Sequence, residues 1–172
     1  EIDMPSAIGS TLEKVLGDIF TAAAQGLLQW NDPTKKAIRR LVYEYDKLNT
    51  DNPAKLQLQN AILATIDALP TAKRFEAAKL VHHRDPSYGS DLKTRAVEKA
   101  FTAIDAVPAS KRYKAAFWVY ERTPDGSDLQ TQVDSLLEKL EKQGLKPQPM
   151  NLQVFLDKMA ALPGADEPVL AD

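Results

Sequence analysis

The chain has 172 residues, 44% apolar, 27% charged and 7% aromatic, which is the profile of one folded domain and excludes a chain disordered throughout. Lys and Arg total 22 against 24 Asp and Glu, and the net charge of -2 excludes a global basic field of the kind that carries non-specific nucleic-acid binding. The absence of cysteine excludes disulfides, Cys-ligated zinc and a thiol nucleophile, and no apolar run approaches the roughly 18 residues that a membrane span needs.

The first predicted element is a helix over 9–29, with Leu12, Val15, Leu16, Ile19, Phe20, Ala23 and Leu27 at helical spacing. Three units follow, over about 33–69, 70–107 and 108–143. Their period shows most clearly where Ile66-Asp67-Ala68-Leu69-Pro70-Thr71-Ala72-Lys73-Arg74 returns 38 positions later as Ile104-Asp105-Ala106-Val107-Pro108-Ala109-Ser110-Lys111-Arg112. Gly89-Ser90-Asp91-Leu92 and Gly126-Ser127-Asp128-Leu129 continue the match after a one-residue deletion. A more degenerate copy opens at Pro33-Thr34-Lys35-Lys36, and Ile2-Asp3-Met4-Pro5 echoes the turn once more.

Each unit reads as a helix hairpin. Its first helix starts after a proline, whose missing N–H is not needed there, and carries an apolar stripe such as Ala37, Ile38, Leu41, Val42 and Tyr45. Its second starts at a Ser or Asp cap, as in Leu92, Ala96, Val97, Ala100, Phe101, Ile104 and Val107, predicted as one continuous helix. A terminal helix is expected over 151–162 from an Asn151 cap, and 165–172 is expected to be a flexible tail. Nothing alternates as a strand does. The predicted fold is therefore all-α, a right-handed superhelical stack of helix hairpins with a repeat of about 38 residues, forming one domain over 1–164.

The two-helix unit resembles the HEAT/armadillo class in length and form. On Leu28-Gln29-Trp30-Asn31-Asp32-Pro33 and the Pro-x-x-Lys-Arg units, covering about residues 28 to 143, it is loosely similar to the Ala-rich, SKWP-type helical repeats of bacterial secreted effectors. That resemblance implies an effector context, in a cytoplasm or secreted into a host cell, while the lack of strong end caps and the Ile2-Asp3-Met4-Pro5 echo point to a piece of a longer solenoid. The Ser-Lys-Trp-Pro string is missing, so no function is carried over.

No catalytic, cofactor-binding or metal-binding pattern is present. His82 and His83 are adjacent on a helix and cannot face one ligand together, and they read as a solvated helix end where positive charge is favourable. Lys35, Lys36, Arg39, Arg40, Lys73, Arg74, Lys111 and Arg112, with Lys79 and Lys114, could align into a basic ridge. A structural role competes, because Asp67 could pair with Arg74 and Asp105 with Arg112 across the Pro turns. A second strip follows the ends of the first helices, through Tyr43, His82 and Tyr120 and then Arg84 and Arg122, residue types enriched at binding hot spots. Trp30 and Trp118 read as packing residues among apolar neighbours.

The expected function is a non-catalytic protein–protein interaction module whose partner is held by Tyr43, His82, Arg84, Tyr120 and Arg122, with no cofactor and no membrane insertion. A nucleic-acid binder using the Lys/Arg doublets and an enzyme without a recognisable motif are the alternatives.

Overall fold

A computed structural model of the chain describes residues 10–148 and 151–164. The Ile2-Asp3-Met4-Pro5 echo and the tail over 165–172 lie outside the described residues. Among those residues the fold is all-helical, with eight α-helices and no strand: α1 Ser10–Ala24, α2 Asp32–Lys47, α3 Pro53–Ala68, α4 Thr71–Arg84, α5 Asp91–Thr102, α6 Ala109–Arg122, α7 Asp128–Lys142 and α8 Leu152–Ala160. No helix is long and apolar enough to cross a membrane among the described residues.

Local chemistry sets the helix starts. Asn31, Asn52, Ser90, Ser127 and Asn151 each accept a backbone N–H in the first turn of the helix that follows, an interaction that contributes about 1 kcal/mol per cap. The α4 and α6 helices have no side-chain cap and begin instead at Pro70 and Pro108, whose backbones are nearly superimposable at φ -53, ψ 141 and φ -52, ψ 140. Their arginines do the tying. Arg74 Nε donates to the Leu69 carbonyl at 2.9 Å, and Arg112 donates to the Val107 carbonyl from Nε at 3.0 Å and from Nη2 at 2.9 Å. The expected carboxylate pairings give way to these bonds: Asp67 binds Lys99 of α5 at 2.7 Å, and Arg112 reaches only the backbone carbonyl of Asp105, at 3.2 Å. A carbonyl at the turn is closer to the guanidinium than a carboxylate on the preceding helix.

The helix ends depart from expectation at two points. The first helix stops at Ala24 and not at residue 29, because Gly26 adopts φ +70 and closes the end with bonds from Gly26 N to the Ala23 carbonyl and from Leu27 N to the Ala22 carbonyl. Gly144 ends α7 the same way. The long predicted helix through Val107 is divided: α5 ends at Thr102, Ala103 bends, and a 3-10 turn spans Ile104–Ala106. Val107 precedes Pro108, whose ring disfavours a helical conformation there, so the chain becomes extended at φ -76, ψ 139.

The helices pack as sequential pairs, α2 with α3, α4 with α5 and α6 with α7, and the pairs join through α2 against α4, α3 against α5 and α5 against α6. One continuous core runs from Leu16 to Leu140, including Ile38, Leu58, Ile62, Val81, Leu92 and Val119. Burying each such side chain stabilises the fold by about 1.5–3 kcal/mol. Ala77, Ala78, Ala96, Ala100, Ala115 and Ala116 are all buried and keep the α4, α5 and α6 axes close.

Polar groups inside the core are tied locally. Tyr45 of α2 donates its hydroxyl to Gln59 of α3 at 3.2 Å, and the Gln59 amide donates onward to Asp91 of α5. Burial, with the Asp85 charge nearby, pushes the Tyr45 phenol above its usual range. Asp85, fully buried after α4, accepts from the Ser87 N–H and the Ser90 hydroxyl, so one carboxylate shapes the loop that also caps α5. By contrast α8 buries no residue, and Leu152, Phe155, Leu156 and Met159 are exposed along it.

Candidate functional site

Lys35 and Arg39 of α2, Glu76, Lys79, Leu80, His82 and His83 of α4, and Trp118 and Arg122 of α6 converge with Trp30, in the loop before α2, around an open cleft of about 490 Å³. A second cleft of about 460 Å³ continues on the far side of His82 and Arg122, walled by Tyr88 and Gly89 of the α4–α5 loop, Lys93 and Val97 of α5, and Thr123, Pro124 and Leu129. His82 and Arg122 line both. The two clefts thus form one groove interrupted by a shared wall.

The wall is an aromatic stack. Trp118 meets Phe75 edge-to-face, centroids 5.8 Å apart at 76°, while the Arg122 guanidinium lies 4.3 Å from the indole centroid. Arg122 also donates from Nη1 to the Trp118 carbonyl at 3.0 Å, which holds its head against the ring. Lys79 sits 5.8 Å from the same indole, and Lys35 sits 5.3 Å from the Trp30 indole. Such cation–π contacts contribute about 0.5–1 kcal/mol each at exposed sites. Trp30 is fixed in turn by its Nε1–H, which donates to Glu76 at 3.1 Å.

His82 is half-buried in this stack, against Trp118. Burial first, then the positive charges of Lys93 and Arg122, push its imidazole down from 6.5 to about 4, against the opposing pull of Asp85. It is therefore neutral at pH 7, which corrects the expectation of a solvated, charge-bearing helix end. Only its neighbour His83 is exposed.

The expected ridge and strip meet here in part. Lys35 and Arg39 from the ridge, with His82 and Arg122 from the strip, line the groove. Lys36, Arg40, Lys73, Arg74, Lys111 and Arg112 are not among its lining residues, and neither are Tyr43, Arg84 and Tyr120. Tyr43 is exposed and holds Lys47 4.3 Å over its ring, whereas Tyr120 stacks on Phe117 at 6.2 Å. Trp30 and Trp118, expected as packing residues, are partly buried and also wall the cleft. The sequence signal for Trp118 was its place in a helical column otherwise filled by Leu41 and Leu80.

Among the described residues no group of three or more His, Asp or Glu side chains is placed to hold a metal ion. No protein family, curated protein or solved structure matches this chain.

Proposed function

We propose that the chain is a non-catalytic protein–protein interaction module, built as a right-handed stack of helix hairpins with a period of about 38 residues. Support for the period comes from bonds that recur at that spacing. Arg74 and Arg112 tie equivalent carbonyls, Lys73 N and Lys111 N close onto the Pro70 and Pro108 carbonyls, and Ser90 and Ser127 cap α5 and α7. In this reading the units stack as HEAT/armadillo-like repeats do, and the chain is a section of a longer, effector-like solenoid.

The observation that carries the functional reading is that first helices of three successive hairpins, α2, α4 and α6, contribute side chains to one groove. Repeat proteins bind partners on surfaces assembled in this way. The occupant is an extended segment of another protein, with His82 and Arg122 at the centre of the contact. Tyr43, Arg84 and Tyr120 are reached by a partner that continues beyond the groove.

A displayed library of random linear peptides, selected on the intact chain, tests this reading. Enrichment of related sequences whose binding is lost in Arg122→Glu supports it. The reading fails if no sequence enriches, or if the enriched peptides bind the folded Arg122→Glu variant equally well. Replacing Tyr43 and Tyr120 together then measures the wider footprint, by the loss of affinity for a folded partner domain.

A further inference from the structure

The charge of the groove is unlike that of the rest of the molecule. Five cations outside it meet carboxylates, Arg40 and Lys47 with Glu44, Arg95 with Asp91 and Glu98, Lys99 with Asp67, and Lys146 with Glu141, all within 4 Å. Lys35, Arg39, Lys79 and Arg122 have no such partner among the described residues. Lys35, Lys79 and Arg122 rest on indole rings instead, and the Nε of Arg39 is buried without a hydrogen bond. The one acid in the first cleft, Glu76, is engaged by Trp30. Four cations less one acid, histidines counted as neutral, give that cleft a formal charge of +3 in a chain of net charge -2. In the second cleft Lys93 and Arg122 face Glu121, a formal charge of +1, and the walls of Tyr88, Val97, Pro124 and Leu129 are largely apolar.

Resting on the peptide-binding reading above, we infer that this groove recognises an acidic peptide segment, with carboxylates seated on Lys35, Arg39 and Lys79 and an apolar side chain lodged beside Leu129 across the His82–Arg122 wall. Lys35 and Arg39 are part-buried, and such groups gain more from a carboxylate than fully solvated ones do, because the local dielectric is lower; exposed Lys79 adds its charge at the rim. A nucleic-acid strand fits less well. The indoles that would stack bases already carry Lys35 and Arg122, and the Lys73-Arg74 and Lys111-Arg112 doublets that would continue a phosphate track lie outside the groove, with both arginines held on carbonyls.

The two tryptophans of the chain both wall the first cleft, so intrinsic fluorescence reads its occupancy directly. The probes are a capped peptide of three glutamates, two glycines and a leucine, the same peptide with glutamines for glutamates, and an oligothymidylate, each titrated into the intact chain at low and near-physiological salt. The acidic peptide is expected to bind about tenfold or more tighter than the glutamine peptide, to weaken as salt rises, and to lose about tenfold in Lys79→Glu and in Lys35→Glu. Circular-dichroism melts confirm that these surface variants stay folded. Equal binding of the two peptides, or no binding of the acidic one up to millimolar concentration, overturns the inference. Tighter binding of oligothymidylate than of the acidic peptide overturns it as well. A display selection that returns neutral sequences lost in Arg122→Glu would leave the interaction module standing and remove only the acidic specificity.

Discussion

The His82 imidazole meets the Trp118 indole edge-on, ring centroids 5.3 Å apart and planes at 78°, and burial there, with the charges of Lys93 and Arg122, holds this residue of the groove wall neutral. In the folded protein its pKa lies near 4, whereas an unfolded histidine titrates near 6.5. Between those values the unfolded chain takes up a proton that the folded chain refuses. The stabilisation is therefore complete above pH 6.5 and is lost progressively as pH falls toward 4.

Allowing for the solvent screening of a half-buried group, this loss is about 1–2 kcal/mol between pH 7 and pH 4. Urea midpoints of the wild type and His82→Gln at both pH values check it. The wild type should lose more stability on acidification than the variant, and parallel losses would show that His82 is not the source.

Arg74→Met and Arg112→Met should each destabilise by about 1–2 kcal/mol, because each leaves a turn carbonyl without its charge-assisted donor. The two sites lie in successive units and share no bond, so the double variant should lose close to the sum. Chemical denaturation of the three variants measures both points. A loss confined to one site would break the equivalence of the two turns.

Two glycines should respond in opposite directions. Gly144 sits at φ +76, where a side chain is strained, so Gly144→Ala should cost about 1 kcal/mol. Gly17 lies inside α1 with open space where a Cβ would project, so Gly17→Ala should stabilise by about 0.5–1 kcal/mol. Thermal melting of both variants, compared with the parent, gives the signs.

Because α8 buries none of its residues, Phe155→Ser with Leu156→Ser should change unfolding free energy by less than about 0.5 kcal/mol. The same pair of changes made at Ile62 and Ile66, in the core, should prevent stable folding. Denaturant titrations distinguish the two cases, and a large loss from the α8 pair would mean that the helix shields an apolar surface.

Much of the architecture was legible because its signals are local. Prolines, Ser caps and the Asn151 cap marked helix starts, and the 3.6-residue stripes of α2 and α5 selected the faces that are buried. Their ends were less legible. The Gly26 closure and the bend at Ala103 depend on backbone conformation, which residue periodicity does not encode. The site was harder still. Tyr43, His82 and Tyr120 do occupy equivalent positions in α2, α4 and α6, yet only His82 lines the groove, while Tyr43 carries Lys47 on its ring and Tyr120 stacks on Phe117. Lys35 and Arg39 meet His82 and Arg122 only because α2, α4 and α6 come together in space, a convergence no spacing within one helix could reveal.

The packing partners of each helix lie no more than two elements away along the chain, and that locality sets how the molecule reaches its native state. Every loop that must close on the way is short, so little chain entropy is surrendered before contacts compensate for it. Rapid folding without a late, long-range docking step is the kinetic consequence. A nascent chain could complete its α1–α3 portion before α6 and α7 have been synthesised, because the packing of α1 needs only α2 and α3.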